Sequence, residues 1–179
     1  MKIGLIRHFK VLHPHKTFMS SYEFSEWVRG YDSAPIQIIP LEMGEGEWQI
    51  CYSSDFKRAV ETAKKVYKGE IVESGLLREL SVSPVFNTKI KLPYVFWMML
   101  GRFAGLLGHK SQVDIHTNTK KRVSGFMSNI LSKKESNILI VSHGGIMWYI
   151  KNELLSNGFD GPNFTKAKNG FLYTFDKKI

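Results

Sequence analysis

Two short runs, KIGLIR at Lys2–Arg7 and NILIVS at Asn137–Ser142, constrain this chain most. NILIVS is a nearly continuous apolar run. A strand with one face in water alternates apolar and polar side chains, whereas a run without alternation must be covered on both faces, as in a parallel sheet between helices. Helical patterns lie between the two runs. Phe56, Ala59, Val60, Ala63, Val66 and Tyr67 fall at i, i+3, i+4, i+7, i+10 and i+11, which predicts a helix with Ser54 as its N-cap and Gly69 as its stop. Further helices are predicted over 22–31, after the cap candidates Ser20 and Ser21, over 112–134 and over 146–156. Strands are predicted over 49–53, 70–73 and 170–176, and residues 81–111 read as less regular. This alternation implies an α/β fold in three layers, a mainly parallel central sheet flanked by helices.

At 179 residues the chain fits one domain, 1–179, with no internal repeat or composition break. Its formal charge of +9 and pI near 9.6 favour anionic ligands: phosphorylated metabolites, nucleic acid or an anionic membrane surface. The basic clusters at 120–122, 133–134 and 177–178 read as solvated helix faces or a tail. No zinc spacing or RNA-binding aromatic signature accompanies them, so no nucleic-acid partner is expected. Cys51 is the lone cysteine and sits in an apolar run, which predicts a core residue rather than a nucleophile. With no leader pattern at the N-terminus, a cytoplasmic location is expected. The apolar segment LPYVFWMMLGRFAGLLG at 92–108, interrupted by Arg102, is shorter than the ~20 residues a spanning helix needs, so it is expected to be a soluble helix or lid.

In open α/β sheets ligands bind beyond the carboxyl ends of the strands. The loop after the first strand offers Arg7 and His8. The loop after the second offers Ser53, Ser54 and, one helical turn on, Arg58. The loop after NILIVS offers His143, Gly144 and Gly145. Three loops distant in sequence therefore converge on one rim with two arginines and two histidines.

These residues carry a resemblance. LIRHFK, SSDFKRAVETA, LLREL and VSHGG stand in the order and approximate spacing of the histidine phosphatase superfamily, the phosphoglycerate mutase-like family. The match covers Arg7 and His8, then Ser54, Arg58, Ala59, Thr62 and Ala63, then His143 and Gly144. It implies a metal-independent phosphatase that hydrolyses a small phosphate monoester through a phosphohistidine on His8, with no cofactor. Arg7 and Arg58 would clamp the phosphate oxygens, their planar forks suiting bidentate contact. His143 would hydrogen-bond the transferring group and help balance its charge. Glu79, in LLREL, would protonate the leaving oxygen and then take a proton from water, with Glu45 and Glu47 in reserve. Phe9, Lys10, Ser54 and Gly144 are candidates for the substrate pocket, and 81–115 for a lid or helical insertion over the active site.

Other readings stay open. A phosphoglycerate mutase uses the same residues, and a non-catalytic protein could hold a phosphorylated ligand or nucleic acid in the same pocket or on its basic surface. His13 and His15, in HPH, lack a third ligand at metal spacing and are expected in a loop, while His109 and His116 have no evident partners. The chain also departs from the family. Phe9 stands where glycine usually follows the nucleophile, and Lys10 where an acid or amide is common. A bulky residue resists conformations that glycine adopts. Phe9 and the 92–108 segment suggest an ester with an apolar or aromatic moiety.

Overall fold

The structure is a computed structural model that describes every residue except 15, 42, 44–47, 114, 134–135 and 178–179. In chain order its elements are β1 (Lys2–Arg7), β2 (Lys10–Val11), β3 (Phe18–Met19), α1 (Ser21–Ser33), β4 (Ile36–Gln37), β5 (Ile50–Ser54) and α2 (Lys57–Val66). They continue with β6 (Ile71–Ser74), a 3-10 turn (Gly75–Leu77), β7 (Leu92–Pro93) and α3 (Tyr94–Leu106). The chain closes with α4 (His116–Leu131), β8 (Asn137–Ser142), α5 (Gly144–Ser156) and β9 (Leu172–Asp176). Two compact units result: Met1–Lys10 with Ile36–Glu79 and Arg122–Ile179, and Val11–Pro35 with Leu80–Lys121.

The first unit holds a five-stranded sheet in the order β6-β5-β8-β1-β9. Its strands are parallel except β9, which runs antiparallel to β1 along one edge. NILIVS is the middle strand, and KIGLIR lies beside it. The continuous apolar run has the reason anticipated above. Ile6, Cys51, Leu139 and Val141 meet Ala59 and Ala63 of α2 on one face. On the opposite face Tyr52 receives Phe126 of α4 edge-on, at 5.6 Å between ring centroids. Burial pushes the Cys51 thiol up to about 12, in keeping with a core residue. Lys133, exposed as expected, also donates from Nζ to the Tyr52 hydroxyl at 2.6 Å.

In the second unit Ser20 is the cap of α1. Its hydroxyl accepts from the Glu23 amide, and the Glu23 carboxylate accepts from the Ser20 amide. Met19, Phe24, Val82 and Trp97 form the core of this unit. Residues 81–111, read as less regular, contain α3 at Tyr94–Leu106, within the 92–108 segment expected to be a helix or lid, and one of its faces is buried. The 112–134 pattern begins as helix only at His116. Ser54 does not cap α2. It belongs to β5, and Phe56 occupies the cap position with no side-chain cap bond.

Candidate active site

The register of β1 against β8 ends at the pair Arg7 and Ser142. The next residue on each strand is a histidine, and neighbouring strands lie about 4.8 Å apart. The His8 and His143 rings accordingly stand 5.0 Å apart between centroids. The His8 amide donates to the Ser142 carbonyl at 2.9 Å, extending the ladder by one rung. Ser53 lies opposite Val141, which brings Ser54 to the same edge.

His8 is fixed through its backbone. Its carbonyl accepts from Asn169 Nδ2 at 2.7 Å, and the Phe9 amide donates to the Thr62 hydroxyl at 2.9 Å. Thr62 in turn donates to the Arg58 carbonyl one helical turn back. The ring Nδ1 lies 2.7 Å from the Phe9 carbonyl. A carbonyl only accepts, so Nδ1 carries the proton and the lone pair falls on Nε2. Burial, and then the positive charges of Arg58 and Arg7, hold His8 down to about 3, against a smaller upward pull from the Phe9 carbonyl. The ring is neutral at physiological pH, as a nitrogen nucleophile must be.

Arg58 is 3% exposed and donates from Nε to His143 Nδ1 at 3.3 Å. The other ring nitrogen of His143 lies 2.9 Å from the Ser54 hydroxyl. With Nδ1 accepting from a guanidinium, the proton resides on Nε2, which donates to Ser54. Both ring nitrogens of the residue expected to face the phosphate are thus engaged within the protein. Burial first, then His8, Arg58, Arg7 and Arg122, holds His143 well below the usual histidine range. Phe56 packs edge-on to His143 and beneath the Arg58 guanidinium, 4.8 Å from its ring centroid.

Arg7 donates from one terminal nitrogen to the Ala167 carbonyl at 2.9 Å, and its buried Nε has no hydrogen-bond partner among the described residues. A side chain at Gly144 would come within 3.4 Å of this guanidinium, so glycine there gives the cation room. The 167–170 segment, unremarked in the sequence, clasps both residues at the end of β1. Besides Ala167 and Asn169, the Gly170 amide donates to the Arg7 carbonyl at 2.9 Å. Asn169–Gly170 was legible as a turn dipeptide; its partners were not.

Glu79 reaches the same rim. Its Oε2 accepts from the Gly145 amide in the first turn of α5, at 3.1 Å. Arg78 is engaged in a bidentate pair with Asp55 at 2.7 and 2.6 Å. The turn before Glu79 is held from two sides. Ser142 donates to the Leu77 carbonyl at 2.9 Å, and Nη1 of Arg122 lies within 3.0–3.1 Å of the Gly75, Leu76 and Arg78 carbonyls. Arg122 Nη2 is buried without a hydrogen-bond partner among the described residues. In the sequence Arg122 is one more member of a basic cluster, and only the fold singles it out.

Phe9 has an ordinary backbone and is 1% exposed, so the glycine usual at this place is not needed for conformation. The steric freedom lies at Gly170 instead, where φ is +57° and an added Cβ would meet the Phe9 ring at 2.7 Å. Phe9 also borders a pocket of about 340 Å³ with Ile38, Ile39, Leu41, Met43 and Val66, while Lys10 is exposed. His13 packs against Trp27 and Tyr31, and His109 pairs with the Ser111 hydroxyl. Glu45, Glu47 and His15 lie outside the described residues.

Residues 42–176 match the profile of the histidine phosphatase superfamily (branch 1), and the chain belongs to that superfamily. No curated protein matches it in sequence. Among solved structures it is similar to YhfR of Bacillus stearothermophilus, with a TM-score of 0.59 and 18% identity over 87% of this chain and 80% of that one. It is also similar to the alpha-ribazole phosphatase of Shigella flexneri, with a TM-score of 0.57 and 13% identity over 99% and 91% of the two chains. A third likeness is to a phosphoserine phosphatase of Entamoeba histolytica crystallised with 3-phosphoglyceric acid, with a TM-score of 0.52 and 17% identity over 97% and 89%. At these identities the shared property is the fold.

Proposed function

We propose that the protein is a metal-independent phosphomonoesterase working through phospho-His8. The observation that carries this reading is the His8 tautomer, with its proton on Nδ1 and its lone pair on Nε2 beside Arg7, Arg58 and His143. The Nε2 lone pair attacks phosphorus as the ester P–O bond breaks. The proton of a Glu79 carboxylic acid passes to the departing oxygen. Water then gives a proton to the Glu79 carboxylate and attacks phosphorus, and the P–N bond breaks with its pair returning to Nε2. The sum is ester plus water to alcohol plus phosphate.

Arg7 and Arg58 supply the charge that holds the equatorial oxygens. The Arg7 Nε, buried and without a hydrogen-bond partner among the described residues, supports this reading as a donor for such an anion. When Arg58 turns to the phosphate, His143 Nδ1 is released. The incoming negative charge favours the imidazolium, so that nitrogen takes a proton from solvent as the substrate binds, becomes a donor, and returns the proton to solvent when phosphate leaves.

The test is hydrolysis of p-nitrophenyl phosphate in the presence of chelator by the native chain and by His8→Ala. The native protein turns over, the variant loses about 10^3-fold or more in kcat, and an acid-labile, alkali-stable phosphoprotein is trapped only with His8 present. Equal rates for the two proteins would reject the mechanism. Conversion of 3-phosphoglycerate to 2-phosphoglycerate faster than its hydrolysis would make the protein a mutase instead.

A further inference from the structure

Helix α3 is held by one face only. Trp97, Gly101, Ala104 and Gly105 are buried, and the Trp97 indole donates to the Met19 carbonyl at 2.8 Å and stacks on Phe24. The opposite face would ordinarily be charged. Here it carries Val95, Met99, Phe103 and Leu106, at i, i+4, i+8 and i+11, continued by Leu107. Met99 is 69%, Phe103 59% and Leu107 71% exposed. Ile90, just before the helix, and Val113, beyond it, are exposed as well. An apolar stripe of this extent on a surface helix marks an interaction site.

The charges around it indicate the partner. Between Leu80 and Lys121 the sequence has one acid, Asp114, against Lys89, Lys91, Arg102, Lys110, Lys120 and Lys121. Lys91 is paired with Glu23 at 3.6 Å, whereas Lys89 and Lys110, on the two approaches to the helix, are exposed. A second copy seated on this face would set lysines against lysines in a chain already at +9. An anionic lipid surface supplies the opposite sign and accepts the apolar stripe between its headgroups. Thirteen residues span about 20 Å, short of the roughly 30 Å hydrocarbon core, and no helix among the described residues is long and apolar enough to cross a membrane.

We infer that α3 is an interfacial helix that lies in the plane of an anionic phospholipid bilayer, with the Val95, Met99, Phe103 and Leu106 stripe in the acyl boundary and Lys89 and Lys110 at the headgroups. The inference does not depend on the phosphatase reading.

The experiment is co-sedimentation of the full chain with vesicles of phosphatidylcholine alone or mixed with phosphatidylglycerol, at low and raised salt. The chain is expected to pellet with the mixed vesicles, to stay largely soluble with the neutral ones, and to be released by salt. Met99→Glu with Phe103→Glu should lower partitioning about tenfold or more. Lys89→Glu and Lys110→Glu should each lower it about fivefold. Leu107→Ser, outside the helix and away from its packed face, gives the same direction of change if the double variant melts early. Failure to pellet with either vesicle, or equal binding to both by native and variant chains, overturns the inference. So does concentration-dependent dimerisation that the double variant abolishes without any vesicle binding, which would assign the stripe to a second copy.

Discussion

Arg58 donates its Nε–H to Nδ1 of His143, across 85 residues of sequence and at 3.3 Å. The contact joins two groups that each hold the other in one orientation, and the guanidinium charge helps keep the ring neutral. Arg58→Ala is therefore expected to lower phosphatase kcat/KM by about 10^2–10^3-fold and also to move the His143 titration upward, because a nearby positive charge is removed. Ring-carbon NMR of labelled histidine reads the second effect. A His143 titration that stays in place would show that the contact does not tune the ring.

Acid should destabilise the fold through its two buried histidines. An unfolded histidine titrates near 6.5, whereas His8 in the fold is held down to about 3 and His143 is also lowered. Between those limits the unfolded chain binds more protons than the native one. Stability is fully present above about 6.5 and falls as pH drops, by about 1.4 kcal/mol per pH unit for each histidine. Urea unfolding at neutral pH and near pH 5 measures the slope, and His8→Asn should reduce it. A native chain equally stable at both would show that these rings charge within the fold.

Arg122 holds the backbone immediately before Glu79, the acid in the reading proposed above. Its Nη1 holds three carbonyls of the turn that ends at Arg78, immediately before Glu79. Arg122→Ala should lower kcat with KM changed less, and Arg122→Lys should restore part of the loss. The loss should be larger for an alkyl phosphate, whose leaving oxygen needs a proton, than for p-nitrophenyl phosphate, whose leaving group does not. Equal losses on both would indicate general damage to the fold.

Gly170→Ala is expected to destabilise by about 2–3 kcal/mol, since it adds a side chain at φ +57° and drives it into the Phe9 ring. Phe9→Ala in the same chain removes the clash with the ring but neither the approach to Ile39 Cδ1 at 2.9 Å nor the backbone strain, so it should recover only part of what Gly170→Ala loses. Thermal unfolding of the single and double variants separates the two terms. Simple additivity of the two single changes would show that the residues do not compete for one space.

Much of this architecture was legible locally. NILIVS, KIGLIR and the periodicity of α2 reflect burial on fixed faces, which leaves a direct trace in residue order. The Arg7–His8 and His143–Gly144 pairs were legible because each follows a strand, and parallel strands deliver their ends to one edge. Ser54 misled for a physical reason. A serine before a helix is a good cap by propensity, but here its hydroxyl pairs with His143, 89 residues away. α3 was legible as a helix or lid over 92–108 but not in its bounds, because an apolar helix with only one face packed gives no clean polar stripe.

By itself, the sequence determined the five strands of the central sheet, the periodic helices and the identity of the groups delivered to the sheet edge, since these follow from periodicity and from chain order. The tertiary structure alone decided their partners. It assigned the proton of His8 to Nδ1, turned His143 toward Arg58 and Ser54, took Arg122 out of a basic cluster to hold the Glu79 turn, and used Gly170 to make room for Phe9. Each of these choices depends on atoms brought within about 3 Å by chain closure over tens of residues, and hydrogen-bond geometry at that range has no local sequence signature.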